Sequence, residues 1–292
     1  MKNYNNSLEK IYETYSNCKD KINISFEMFP PNNNFVKKKF KKSFKKLSEM
    51  NPDFFSITCS ENSGGNKNTF SFIKNIKKNT KIDIIPHLTC VGYNKSDIKK
   101  IAEDYWRIGV KKILALRGDY NFKKSKNVFF YASDLIYELK KIKNFNILVA
   151  AYPEVHPESK NALEDLMFLK RKFDNGADKA ITQFFFDTDK YLKFRDKCFS
   201  VGIDKEVIPG ILPVYNLSQL KKFSNMTNVK IPKWIYYIFN SLENNTNVYK
   251  IISSAVILNI VNKLFLEGIR AFHFYTLNRS DIVYSISHLL RI

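Results

Sequence analysis

Eight short, β-rich apolar runs punctuate the chain, and the first seven begin about 30 residues apart, the length of a strand plus its crossover helix. They are Ile22–Phe29, Phe54–Cys59, Ile82–Thr89, Lys112–Leu116, Ile147–Tyr152, Ala180–Phe186, Val207–Leu212 and Ala271–Thr276. Stretches of helical period lie between them, over Phe35–Glu49, Lys67–Lys78, Lys95–Arg107, Ser133–Lys143, Pro157–Phe173 and Asp189–Ser200. A longer region from Leu217 to Leu266 carries Pro232 and has room for extra helices. Several runs are apolar throughout, as strands covered on both faces require. Eight βα units in 292 residues predict an α/β fold, a closed (β/α)8 barrel with extra helices before the last strand. Residues 21–292 read as one barrel domain and residues 1–20 as a helical extension. A doubly wound open sheet is the alternative, but no G-x-G-x-x-G follows any strand. A P-loop, a G-x-S-x-G elbow and an H-E-x-x-H helix are also missing from the sequence.

Charge is the misleading feature. The chain has 48 basic and 28 acidic residues, a formal +20, which ordinarily points to nucleic acid. Yet 41 of the basic residues are Lys and 7 are Arg, whereas phosphate and base recognition favour Arg's planar fork. Lys, Asn, Ile, Phe and Tyr all have A/T-rich codons, so a biased genome supplies this charge without selection for binding. The densest run, Lys37 to Lys46, sets Val36, Phe40, Phe44 and Leu47 at helical spacing, making its lysines a solvated face. No nucleic-acid partner is therefore expected. The apolar stretches read as too interrupted for a membrane span, and the first residues hold no apolar signal segment, which predicts a cytoplasmic protein. Cys18, Cys59, Cys90 and Cys198 are widely spaced, which favours free thiols and no metal site.

A barrel carries its chemistry where strands end, and unusual polar residues cluster there. Glu27 lies inside the first apolar run, where burial raises a carboxyl pKa toward that of a general acid; pairing with a buried Lys or Arg is the structural alternative. Thr58 ends the second run, His87 sits in the third, Arg117-Gly118-Asp119 follows the fourth and Tyr152 to His156 the fifth. Gly118 permits close backbone approach to a flat ligand, although a plain polar turn has the same composition. Pro157 suits the first position of a helix on which Asp165, Arg171 and Lys172 lie near one side. That set fits a ribose and a diphosphate, or an ordinary charged stripe.

Taken in order, Phe-Glu-Met-Phe-Pro-Pro at 26–31, Pro-His-Leu-Thr-Cys at 86–90, Ala-Leu-Arg-Gly-Asp at 115–119, Ala-Ala-Tyr-Pro-Glu-Val-His-Pro-Glu at 150–158, Ile-Thr-Gln-Phe-Phe-Phe-Asp at 181–187, Ile-Pro-Gly-Ile-Leu-Pro-Val at 208–214 and His-Phe-Tyr-Thr-Leu-Asn-Arg at 273–279 resemble bacterial methylenetetrahydrofolate reductases over about residues 21–290. The resemblance implies a (β/α)8 barrel with non-covalent FAD that reduces 5,10-methylenetetrahydrofolate to 5-methyltetrahydrofolate, with NADH or NADPH as co-substrate. It implies FAD contacts from Thr58, Cys59, Glu61, His87, Arg117, Gly118, Asp119, Ala132, Tyr152, His156, Asp165, Arg171 and Lys172. Asp119, Gln183, Gln219, Phe223 and Arg279 would meet folate or the nicotinamide nucleotide. Opening the methylene bridge requires a proton on N10, which makes Glu27 the expected acid, while Asp119 stabilises the resulting cation. By analogy the protein forms a homo-oligomer, a tetramer. The sequence departs from its relatives at Cys59-Ser60-Glu61 and at Phe168. A different FAD-dependent barrel oxidoreductase and a catalytically dead, nucleic-acid-binding barrel are the rival readings.

Overall fold

A computed structural model describes residues 13–59, 65–118, 131–242 and 245–291. Nine strands form one all-parallel sheet, β1 (Asn23–Met28), β2 (Phe54–Ile57), β3 (Asp83–Thr89), β4 (Lys112–Leu116), β5 (Asn146–Ala151), β6 (Lys179–Thr182), β7 (Val207–Ile208), β8 (Gly210–Ile211) and β9 (Ala271–Tyr275). Their spatial order is β7-β6-β5-β4-β3-β2-β1-β9-β8. The two ends of that order are consecutive in sequence, so the sheet wraps into a barrel.

The seam explains why the seventh expected strand is two. Pro209 has no N–H to donate to a ladder, and the run breaks there. Val207 and Ile208 pair with Ala180 and Ile181, whereas Gly210 and Ile211 pair with His273 and Phe274. Gly210 is obligatory at this point because a Cβ would lie 2.1 Å from Thr182 O and 2.6 Å from the Tyr275 ring. Its N–H donates to Thr182 Oγ1 at 2.9 Å, and Tyr275 OH donates to Thr182 O at 2.7 Å across the seam.

The helices are α1 (Asn34–Ser48), α2 (Gly65–Lys77), α3 (Lys95–Arg107), α4 (Ala132–Ile142), α5 (Ala162–Asp174), α6 (Thr188–Ser200), α7 (Leu217–Thr227), α8 (Lys233–Asn240), α9 (Thr246–Leu266) and α10 (Asp281–Leu289). The three between β8 and β9 are the expected extra elements. Phe40, Ser43 and Leu47 form the buried stripe of α1, leaving most of its lysines in water. Two expectations are corrected here. Pro157 does not open α5: the helix starts at Ala162, where Asn161 accepts a hydrogen bond from Glu164 N as N-cap. The sixth strand stops at Thr182, short of Phe186, and Phe184, Phe185 and Phe186 are buried beyond its end.

Two apolar layers follow from strand alternation. Outward residues such as Phe26, Phe55 and Phe272 pack under the helices, while Phe54, Ile85, Leu114, Leu148, Ile181 and Ile208 fill the barrel's interior. A further correction concerns α9, which is long and apolar enough for a membrane span, with a mean hydropathy of 1.4 over its best window. Its residues Ile257, Ile260, Val261 and Leu264 are buried in the core that the barrel shares with α9. Residues 13–16 are helical, and Tyr15 from this stretch packs edge-on against Phe265 of α9, 4.8 Å between ring centroids.

Candidate active site

Above the apolar plug, the inward positions of β1, β2, β3 and β9 turn polar. Ser25 and His273 are register partners on neighbouring strands, with Ser25 Oγ 2.8 Å from His273 Nδ1. Two residues further up β1 lies Glu27, whose carboxylate Oε2 is 3.7 Å from His87 Nε2 on β3. This pair is a contact between neutral groups. Burial drives the Glu27 carboxyl up to about 8 and the His87 imidazole down to about 3, so around neutral pH the acid keeps its proton and the base stays uncharged. His273 is likewise held down to about 3, by burial and then by His87. Among the described residues Glu27 has no Lys or Arg partner, which removes the structural alternative of a buried ion pair. Its side chain is 13% exposed, enough to open toward the mouth.

Three polar atoms in the same zone, Ser56 Oγ, Thr58 Oγ1 and His87 Nε2, are buried with no hydrogen-bond partner among the described residues. Buried hydroxyls and imidazoles left this way cost free energy unless something else pairs with them, which marks the mouth as built for a polar ligand.

Across the mouth the chemistry changes to charge. Arg117, just past β4, donates to both carboxylate oxygens of Glu158, at 2.5 and 2.6 Å. Gly118 takes a positive φ of 86°, and a Cβ there would meet Thr89 at 2.9 Å. Asp165 accepts from His156 N at 3.0 Å and Ser159 Oγ at 3.1 Å, folding the 156–161 loop over the start of α5. Lys172 donates to Ala150 O at 2.8 Å, and burial, partly offset by Asp165, lowers its ammonium to about 8. Arg171, one residue earlier and so about 100° around the helix, is exposed and 4.0 Å from Asp134. Tyr152 and His156 meet edge to face at 4.6 Å. Ala132 is buried as the first residue of α4.

The remaining expected positions ring the extra-helix side. Gln183 follows β6, and its Oε1 accepts from Phe184 N at 3.0 Å. Gln219 lies in the first turn of α7, where its N–H is capped by Asn216, and Phe223 is half-buried one turn on. Arg279 lies over the Tyr215 ring, 4.6 Å from its centroid. Thr58 and Cys59 are half-buried after β2. Glu61 and Asp119 lie outside the described residues. Sequence reasoning missed Glu158 as the partner of Arg117, and it missed the Ser25–His273 pair. The period-2 phase of β9 carries a signal for the latter, since His273 and Tyr275 must share a face.

A closed parallel barrel whose C-terminal mouth holds a protonated carboxyl group beside a set of cations defines a TIM-barrel enzyme. The sequence profile described as Methylenetetrahydrofolate reductase matches residues 10–291. The chain is 52% identical over 279 residues to the 5,10-methylenetetrahydrofolate reductase of Buchnera aphidicola subsp. Schizaphis graminum, covering 96% of this chain and 95% of that one. With the enzyme of the same name from Escherichia coli K12 the identity is 46% over 282 residues, covering 97% and 95%. An uncharacterized Clostridium thermocellum protein, whose structure is described as binding two copies of 5-methyl-5,6,7,8-tetrahydrofolic acid, shares the fold at a TM-score of 0.66 and 15% identity, covering 98% of each chain. The chain belongs to the methylenetetrahydrofolate reductase family and is an oxidoreductase.

Proposed function

We propose that this protein reduces 5,10-methylenetetrahydrofolate to 5-methyltetrahydrofolate with bound FAD as the hydride relay and NADH or NADPH as reductant. The observation that carries the reading is Glu27, a carboxyl group held protonated to about pH 8 inside the mouth of a barrel of this family. The methylene carbon bridges N5 and N10, and the ring opens to a 5-iminium cation only when N10 receives a proton. Glu27 donates it. His87, neutral at 3.7 Å, leaves that proton on the acid because it is too weak a base to take it.

The donor set fits FAD. Arg117, Arg171 and Lys172 would supply cations for its diphosphate, His156 and Tyr152 a polar and aromatic wall, and the buried, partnerless Thr58 Oγ1 and His87 Nε2 would offer hydrogen bonds to its polar ring atoms. When bound, FAD supplies the two-electron hydride chemistry that no side chain can perform. Arg117 must exchange Glu158 for a phosphate, and the exposed position of Glu158 makes that exchange inexpensive. Thr58, Cys59, Glu61, Gly118, Asp119, Ala132 and Asp165 complete the proposed flavin set, and Gln183, Gln219, Phe223 and Arg279 the folate and nucleotide side. Asp119 is assigned to stabilise the iminium charge, so Asp119→Asn is expected to slow the folate step far more than flavin reduction.

The same reading takes residues 21–292 as one catalytic unit in a cytoplasmic homo-oligomer. A visible spectrum of the purified protein tests it, recorded before and after anaerobic NADH and then methylenetetrahydrofolate. Yellow protein bleached by NADH and recoloured by the folate supports the proposal. Protein that neither carries nor takes up flavin overturns it.

A further inference from the structure

The loop after β5 is pinned from two sides. Between the pins Val155 takes φ 69°, a left-handed angle that a β-branched residue adopts only under constraint. After it, the His156 N–H donates to Asp165, and His156 Nδ1 accepts from Glu158 N at 3.1 Å. Before it, the Glu154 side chain, 6% exposed, reaches α6 and the segment beyond α7. Its Oε2 accepts from Lys190 Nζ in the first turn of α6 at 2.6 Å and from Lys230 N at 3.3 Å. Its Oε1 is buried with no partner among the described residues.

Lys230 is fastened to α7 in turn. Asn228 ends that helix in the left-handed conformation, Val229 is buried, and Val229 O accepts from Ser224 Oγ in the last turn of α7 at 2.6 Å. Leu217 and Leu220 bury the first half of α7, so the bond from Lys230 N to Glu154 anchors the second. Gln219 and the half-buried Phe223 lie between these anchors. The Glu154 carboxylate thus ties together two walls of the mouth, the loop of Tyr152 and His156 and the helix of Gln219 and Phe223. A buried ion pair adds little net stability, because desolvation offsets its attraction, and half of this carboxylate is unpaired. What it supplies is a fixed link between segments far apart in the chain.

Resting on the function proposed above, we infer that Glu154 is a positioning residue whose reach sets the separation of α7 from the flavin-side loop. That separation governs the fit of both ligands assigned to Gln219 and Phe223, the nicotinamide nucleotide and the folate. Glu154 acts without touching either, because its carboxylate is enclosed by protein. Glu27 sits on β1 beside His87, outside this bridge, so the chemical step keeps its acid when the bridge is altered. His156 keeps its own anchors, Asp165 and Glu158, so the flavin side keeps its shape. The effect therefore falls on the binding of the two substrates.

Two variants separate reach from charge. Glu154→Asp keeps the charge but draws the carboxylate back by a methylene, away from Lys230 N, whereas Glu154→Gln keeps the reach and an acceptor oxygen but removes the charge. Each half-reaction of the FAD-loaded enzyme gives a KM and a maximal rate, alongside a melting curve and a flavin-fluorescence titration of apoprotein. Glu154→Asp is expected to raise the KM for NADH and for methylenetetrahydrofolate together by about threefold to tenfold, the scale of one hydrogen bond. Maximal rates and FAD affinity should stay within about threefold, as when only uniform substrate binding is lost. Glu154→Gln should keep both KM values within about twofold of wild type, as should Glu206→Gln, the control, which breaks an exposed pair with Lys179 at the opposite end of the barrel. If Glu154→Asp does not fold, Ser224→Ala, which frees Val229 from α7, decides the matter and should raise both KM values by about twofold or more. The inference is overturned by a Gln variant as impaired as Asp, by an equal change in Glu206→Gln, or by a loss of FAD as large as the rise in KM. Wild type that turns over neither substrate overturns the proposed function and this inference with it, whereas wild-type turnover with KM values unchanged in the deciding variant, whatever its melting temperature, overturns this inference alone.

Discussion

The two sides of the barrel mouth handle charge in opposite ways. On the β1, β3 and β9 side, Glu27, His87 and His273 are titratable groups sunk among apolar neighbours, and each is driven to its neutral form by burial. On the β4, β5 and α5 side the charged groups are partnered: Arg117 donates to Glu158, Lys172 donates to Ala150 O, and Asp165 accepts from His156 N and Ser159 Oγ. The first side stores a proton at neutral pH, and the second attracts and orients an anion. Burial penalises charge on both sides, and the ionic form persists at neutral pH where a partner offsets that penalty, as Asp165 partly does for Lys172.

Four experiments press on that contrast. The largest expected effect is that of Glu27→Gln, which keeps size and hydrogen bonding but has no acidic proton. The folate half-reaction should slow by about 10²–10⁴ while flavin reduction by NADH is spared, as stopped-flow traces of each half-reaction would show. Folate reduction within about threefold of wild type in a folded protein would remove Glu27 from the general-acid role.

Lys172→Met tests the ionic side. It should weaken FAD binding by about 10–100-fold, the range of a lost charge-assisted hydrogen bond, measured by flavin fluorescence on reconstituting apoprotein. A similar loss of FAD from Glu27→Gln would erase the distinction between the two sides.

Next comes pH. Between the ordinary carboxyl pKa of 4.5 and about 8, folded Glu27 holds a proton that the unfolded chain releases, so its contribution to stability is full below that window and declines as pH rises through it. His87 and His273 act in the other direction: the unfolded imidazoles bind protons below about 6.5 and the folded ones only near 3, so stability is lost as pH falls through that range. Urea melts at several pH values should show Glu27→Gln flattening the alkaline decline and leaving the acid one. The folate step in wild type should itself fall about tenfold per pH unit above about 8, as expected when the protonated acid is the active form.

The smallest effect belongs to Glu158→Gln. Because Glu158 is largely exposed, stability should change by less than about 1 kcal/mol. Freeing Arg117 should nonetheless tighten FAD by about twofold to fivefold, a gain in the range of one exposed ion pair. Weaker flavin binding would show instead that Glu158 positions Arg117 and does not compete for it.

Much of this molecule is written locally. The βα rhythm, the amphipathic stripe of Phe40 and Leu47 and the break at Pro232 follow from side-chain period and proline chemistry, which act over a few residues and so can be read in order along the chain. The motifs carrying Glu27, His87, Arg117 and Lys172 were legible for the same reason, since each sits on or next to a single strand or helix. The start of helix α5 differs from the reading at Pro157 because Asn161 caps it four residues later, and the bonds of Asp165 to His156 and Ser159 hold the intervening residues in a loop. What no local signal carries is which strands meet. The seam at Pro209 depends on β6 and β9 arriving on either side of one chain segment, and the 3.7 Å approach of Glu27 to His87 depends on β2 separating their strands by one position. The protonation states depend on it too. A carboxyl group has the same intrinsic acidity anywhere in a sequence, and only the closed barrel, by removing water from around Glu27, makes it an acid suited to neutral pH.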